Sequence, residues 1–276
     1  MAKTLSATTS RNSFLMGTNP IIRKLARIEE TDSENSCSYA GISTKLLYFM
    51  VMVMAGILLN AIMGGRWGGE VIKTDSIEKL LTVNEVIAVG IAALVLIISP
   101  ILASLIKVTI PVTGALFCAS TGFVISWAGS TFGKEYAQTI WLALIITAIV
   151  VMVMGFLYFS GKVQVTKKFR TMLITLFITA IGASLLGVIG SLIPATRGFV
   201  TGLMDNAVIN IGASVLMVII ASLFLLVDFD TIKHAVDDEL PKKYEWYAAF
   251  GLAFSVIWLF FKILELLGKA KGNNKS

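Results

Sequence analysis

Phe224-Leu-Leu-Val-Asp-Phe-Asp230 closes one apolar run, and Trp246-Tyr-Ala-Ala-Phe-Gly251 opens another that continues to Leu267. Between them lies a polar connection that ends at Glu245. Two apolar segments of this length, joined by a short turn crowded with ionisable groups, read as a hairpin of membrane-spanning helices. Asp228 and Asp230 sit at the edge of the first segment, and Lys262 and Glu265 lie inside the second. Ionisable groups there cost free energy, so they are functional candidates by default.

The rest of the chain supports this reading. Of its 276 residues, 56% are hydrophobic and only 14% are charged, and the mean hydropathy is +0.84. A soluble domain carries roughly a quarter charged residues. A soluble helical protein also needs charged faces between its apolar stripes, and 207–227 has none. The expected fold class is therefore all-α, a polytopic membrane protein with a seven-transmembrane-helix bundle. The spans fall at about 46–63, 86–106, 108–128, 138–160, 171–193, 207–229 and 247–267. The second and third form a tight hairpin, because 86–128 as one helix would be about 65 Å long. The domain layout is a polar region 1–44, a membrane domain 45–268 and a short polar tail 269–276.

The net charge of +6 does not point to nucleic acid. The basic residues cluster beside apolar spans, where they orient a membrane protein, and no basic stripe is interleaved with exposed aromatics. With the N-terminus inside, most Lys and Arg fall on inner segments, and Lys162–Arg170 is the clearest inner loop. The four C-terminal lysines argue the other way. The expectation is an inner (plasma) membrane protein with its N-terminus cytoplasmic and its C-terminus outside. Its first span starts too far into the chain for an ordinary cleavable signal.

Several features read as scaffold. Pro20–Ile28 is either a short interfacial amphipathic helix or a solvated tail. Gly64-Gly-Arg-Trp-Gly-Gly69 lacks the Gly-Lys-Ser/Thr of a phosphate cradle and reads as a turn with an interfacial Trp67. Ser76–Glu85 has a weak helical pattern. The pairs Ala115/Ala119, Ala183/Gly187 and Gly251/Ser255 have the spacing of close helix contacts. The methionines suit adaptable packing. Asn60, Asn206 and Asn210 suit interhelical or end-of-helix hydrogen bonds. Cys37 and Cys118 belong to no metal or disulfide pattern. No internal repeat of the transporter kind is visible.

His234, the one histidine, lies four residues from Asp230. The two could touch on a continued helix and titrate near neutral pH, or His234 is a solvated loop residue. One histidine excludes a His-rich zinc site, and oxygen ligands would suit calcium instead. There is no Gly-x-Ser-x-Gly elbow and no HExxH, so no enzyme and no cofactor is expected. Asp228 and Asp230 stand about 200° apart on a helix, so one is expected to point inward and the other to reach the head groups or the loop. Alternatively both end the helix in water. An inward carboxyl is a candidate for changing protonation state near neutral pH. Ser255, Leu259, Lys262 and, less closely, Glu265 share a broad face of the last span. Lys262 and Glu265 can pair, and Lys262 either snorkels to the interface or tunes a pore.

These residues carry a resemblance. Asn19-Pro20-Ile21 with Leu25, Val165-Thr-Lys-Lys-Phe-Arg170, Asp228-Phe-Asp230-x-Ile232, Pro241-Lys-Lys-x-Glu245-Trp-Tyr-Ala-Ala-Phe-Gly-Leu252 and Trp258-Leu259 resemble the bacterial Bax inhibitor-1/YccA-like branch of the Bax inhibitor-1 superfamily. The resemblance covers nearly all of the chain after residue 19, and the final hairpin is its specific part. It implies a seven-helix bundle with the last helix near its centre, and a pH-sensitive calcium leak. It also implies a pair of aspartates, one near the end of the sixth helix and one within the seventh. The first maps onto Asp230, with Asp228 as the other choice. The second falls near Ser255, which cannot ionise; Glu245, Asp228 or Glu265 would have to substitute. Two functions follow as expectations. One is a pH-sensitive cation leak in which calcium is the permeant ion, gated by Asp228 and Asp230. The other is a non-transporting regulator in the lipid bilayer that binds a membrane-protein partner, such as a protease.

Overall fold

The computed structural model describes residues 36–63, 71–72 and 81–273. The helices are α1 (Tyr39–Met63), α2 (Val83–Leu105), α3 (Ile110–Thr131), α4 (Lys134–Phe159), α5 (Lys167–Leu192), α6 (Pro194–Asp205), α7 (Ala207–Asp237) and α8 (Glu245–Asn273). Seven of them, all but α6, are long and apolar enough to cross a membrane. The fold is all-α apart from a two-residue antiparallel pairing of β1 (Val71–Ile72) with β2 (Leu81–Thr82). Of the stretch expected to be helical, Leu81 and Thr82 take part in that pairing and Val83–Glu85 open α2, which Thr82 caps by accepting from Glu85 N–H. The Pro20 helix and Trp67 lie outside the described residues, as do residues 76–80.

The second to fifth spans were placed to within about four residues, whereas the first begins earlier than the expected 46, at Tyr39, and the last two run further. The sixth was expected to stop at 229, yet α7 continues to Asp237. Thr231, Ile232 and Ala235 are buried, so the inward face persists past the aspartates. The helix then closes with Leu240 N–H bonded to the Ala235 carbonyl and Glu239 N–H to that of Val236. This cap needs a left-handed residue, usually glycine, and Glu239 takes it with φ 52°. The last helix was expected to end near 267 and reaches Asn273.

The chain divides into two compact units. One holds the described residues of Asn19–Leu142 with His234–Ala253. Here α1 and α3 touch backbone to backbone. A Cβ on Gly56 would stand 1.9 Å from the Ala119 carbonyl oxygen, and one on Gly122 would stand 2.0 Å from that of Val53. No side chain fits at either crossing, which is the close approach that small residues permit between membrane helices. Asn60 donates to Ser126 across the same pair at 3.0 Å. The α2–α3 break comes at extended Ile106, followed by a turn at Lys107–Thr109 and Pro111 in the first turn of α3. Phe49, Phe117 and Phe250 fill the centre of this unit.

The other unit holds Ala143–Lys233 and the described residues of Phe254–Ser276. Gly161, at φ 72°, turns the chain after α4, and Thr166 caps α5 by accepting from Phe169 N–H. Helix α6 had no counterpart in the sequence reading, which left this stretch as a connection. It begins with Pro194, and Thr196 donates back to the Gly190 carbonyl at 2.8 Å. Asn206 then caps α7 by accepting from Val208 and Ile209 N–H. Phe177, Phe224 and Trp258 join α5, α7 and α8 through edge-on ring contacts.

Candidate functional site

Asp228 and Asp230 are both buried, at 3% and 5% exposure. The expectation that only one would turn inward is therefore wrong. So is the alternative that both end the helix in water. The 200° between them holds, but helices lie on both sides. Toward one side, Asp230 accepts from the Tyr158 hydroxyl of α4 at 3.1 Å and from the Arg170 guanidinium of α5 at 3.1 Å. Toward the other, Asp228 has the Ser255 hydroxyl of α8 as its hydrogen-bond partner. Its Oδ2 is buried and has no hydrogen-bond donor among the described residues. Phe229, between them, makes tilted ring contacts with Tyr158 and Phe159.

Arg170 was read as an inner-loop cation. It is 5% exposed and forms a buried ion pair with Asp230. Its run of basic neighbours hid it. The usable signal was phase: Arg170 stands one turn before buried Leu173, on the face that continues to Phe177. Tyr158 was missed as well, because nothing sets it apart in the apolar end of α4.

The structure gathers Asp228, Asp230 and Ser255 with these two additions, and places Lys262, Glu265 and Glu245 in other clusters. Lys262 pairs with Glu265 at 2.8 Å, and Lys269 pairs with the same carboxylate at 2.6 Å while also donating to Ser214 of α7. This is a half-exposed chain of charges along the end of α8. Glu245 belongs to a third cluster. Its Oε1 accepts from the Ser38 backbone N–H at 3.0 Å and from the Ser38 hydroxyl at 3.2 Å, and its Oε2 pairs with Lys45. The carboxylate is fully buried at the N-terminus of α1, where helix dipole and free N–H groups favour an anion. It occupies the place of a side chain on Gly41, whose Cβ would lie 2.1 Å from Oε1. Glu245 is thus a clamp on α1. His234, half-buried, belongs to the unit of Glu245, where its carbonyl accepts from Asp238 N–H in the closing turn of α7.

Beside the clamp, Cys37 N–H donates to the Leu240 carbonyl at 2.6 Å and its thiol to that of Pro241 at 3.5 Å. Burial, with the Glu245 charge adding to it, pushes this thiol up to about 12. Among the described residues, no three His, Cys, Asp or Glu side chains gather as a metal-ligating group.

In a comparison with known families, residues 19–272 match the model described as Bax inhibitor 1 like. A search of curated proteins finds no match.

Proposed function

Because the chain belongs to the Bax inhibitor 1 like family, we propose that this multi-pass membrane protein passes cations down their gradient under pH control, at Asp228 and Asp230. One observation carries the reading: a buried carboxylate oxygen of Asp228 has no donor among the described residues, one turn-face away from a saturated Asp230. A charge left so in a membrane helix costs free energy that a purely structural role would not need. Calcium, the ion that the family resemblance implies, is the first to test. In this reading Lys262 and Glu265 tune the far end of the pathway, the N-terminus is cytoplasmic, the membrane is the inner one, and no catalysis is assigned.

The test is flux into liposomes that hold the purified protein, from pH 6 to 8, beside the Asp228→Asn/Asp230→Asn double variant. Flux that varies with pH and changes in the variant supports the pathway. Absence of flux from folded protein overturns it.

One observation favours the second reading. Both oxygens of Asp230 are held by partners, and Ser255 cannot ionise. A fixed cluster of this kind also suits a non-transporting regulator of other membrane proteins. Crosslinking in native membranes that captures one specific partner, together with absent ion flux, would support that alternative.

A further inference from the structure

Helix α6 presents sides of different chemistry, and one of them is taken by protein. Thr196 and Val200 meet the end of α5. Thr196 donates to the Gly190 carbonyl at 2.8 Å, and a Cβ on Gly190 would stand 2.9 Å from Val200 Cγ2. By helical spacing, Ala195 and Leu203 lie to one side of that contact and Arg197 and Thr201 to the other, with the two flanks about 180° apart. Ala195, Arg197 and Leu203 are exposed. A Cβ on Gly198 or Gly202 would meet nothing within 4 Å. One free flank is thus apolar and the other carries a cation and a hydroxyl. Among the described helices, α6 is the most amphipathic.

The surroundings of α6 indicate what covers the apolar flank. Helix α5 is a single span that begins at Lys167 and Lys168, so α6 lies at the opposite face of the membrane. The end of α5 and the start of α7 still hold apolar side chains away from protein: Leu192 is 77% exposed and Val208 is 81% exposed. Side chains of that kind on a membrane span belong in hydrocarbon, so lipid reaches the level at which α6 begins and ends. Ile193 and Asn206, both extended, set α6 off from the two spans. We propose that α6 is an interfacial helix whose partner is the bilayer itself. Ala195 and Leu203 enter the boundary of the acyl chains, and Arg197 and Thr201 face the head groups and water. Lipid then fixes the depth of α5 and α7 at this face, whether or not the protein conducts ions.

A small fluorophore on Leu203→Cys or Thr201→Cys, in the full chain in liposomes, tests the assignment. Cys37 and Cys118 are buried, and labelling of the parent chain supplies the background to subtract. Lipids with a nitroxide on the acyl chain are expected to quench the label at 203 at least about twofold more than the label at 201, and aqueous iodide is expected to do the reverse. Ala195→Cys and Arg197→Cys repeat the comparison on the same two flanks and replace a variant that fails to fold. Equal iodide quenching of both flanks, with no quenching from the acyl chains, would make α6 a solvated connection and overturn the proposal. Protection of position 203 from both quenchers would overturn it as well, and loss of that protection on dilution into excess lipid would identify a second copy of the chain as the cover.

Discussion

Two buried carboxylates in this chain are treated in opposite ways. Glu245 has donors on both oxygens, from Ser38 and Lys45, at the start of a helix where an anion is welcome. Asp228 lies mid-helix, receives one hydrogen bond from Ser255 and keeps one oxygen with no donor among the described residues. Burial alone therefore does not distinguish the two carboxylates. The informative feature is incomplete satisfaction, because evolution has ready means of completing the set, as the Ser38–Lys45–Glu245 clamp demonstrates.

The largest effect is expected where a buried charge loses its partner. Arg170→Ala leaves Asp230 uncompensated and should cost about 3–5 kcal/mol of stability, seen as loss of monodisperse protein in detergent. Adding Asp230→Asn to it should recover much of the loss. If Arg170→Ala is as stable as the parent, Arg170 does not balance Asp230.

The clamp should respond less, because its cation, Lys45, is more exposed than Arg170 and can be solvated when the carboxylate is lost. Glu245→Ala removes the acceptor of Ser38 N–H and is expected to cost about 1–3 kcal/mol. The loss should appear as faster hydrogen exchange confined to the first turn of α1. Exchange that rises equally around Asp228 would erase the distinction between the two carboxylates.

Cys37 reports on the clamp by titration. Its thiol is raised from 9.0 to about 12, so the neutral form is held in the folded state. For a raised group the stabilisation is present below pH 9 and fades as pH climbs toward 12. Maleimide should label Cys37 slowly at pH 8 in the intact protein and faster in Glu245→Ala. Equal labelling in both would mean that the clamp does not shield the thiol.

The smallest effect is expected at Glu239. Its left-handed backbone suits glycine, so Glu239→Gly should stabilise by about 1 kcal/mol, visible as a small rise in Tm. A fall would show that the Glu239 side chain matters more than its strain.

The spans were legible because each apolar run has the length of a bilayer crossing, and the α2–α3 break was legible because Lys107 and Pro111 interrupt one. The two aspartates were legible because carboxylates are rare in such runs. Their common burial was not. The sequence shows where an apolar run ends, and α7 continues two turns past that point on the strength of Thr231, Ile232 and Ala235. Arg170 was hidden by company: beside Lys167 and Lys168 it looks like one more head-group cation, and only its helical phase with Leu173 turns it inward. The place of Glu245 at the start of α1 was not legible because its partners, Ser38 and Lys45, are about 200 residues away in sequence. Helix α6 was missed because it is too short to stand out by hydropathy.

The central claim is that Asp228 is the incomplete carboxylate through which cations act. The most direct measurement is cation flux in liposomes from Asp228→Asn beside wild type, both shown to be folded by size-exclusion chromatography. The account predicts that removing this one charge abolishes the flux or its dependence on pH. Wild-type flux with wild-type pH dependence in the variant would contradict it.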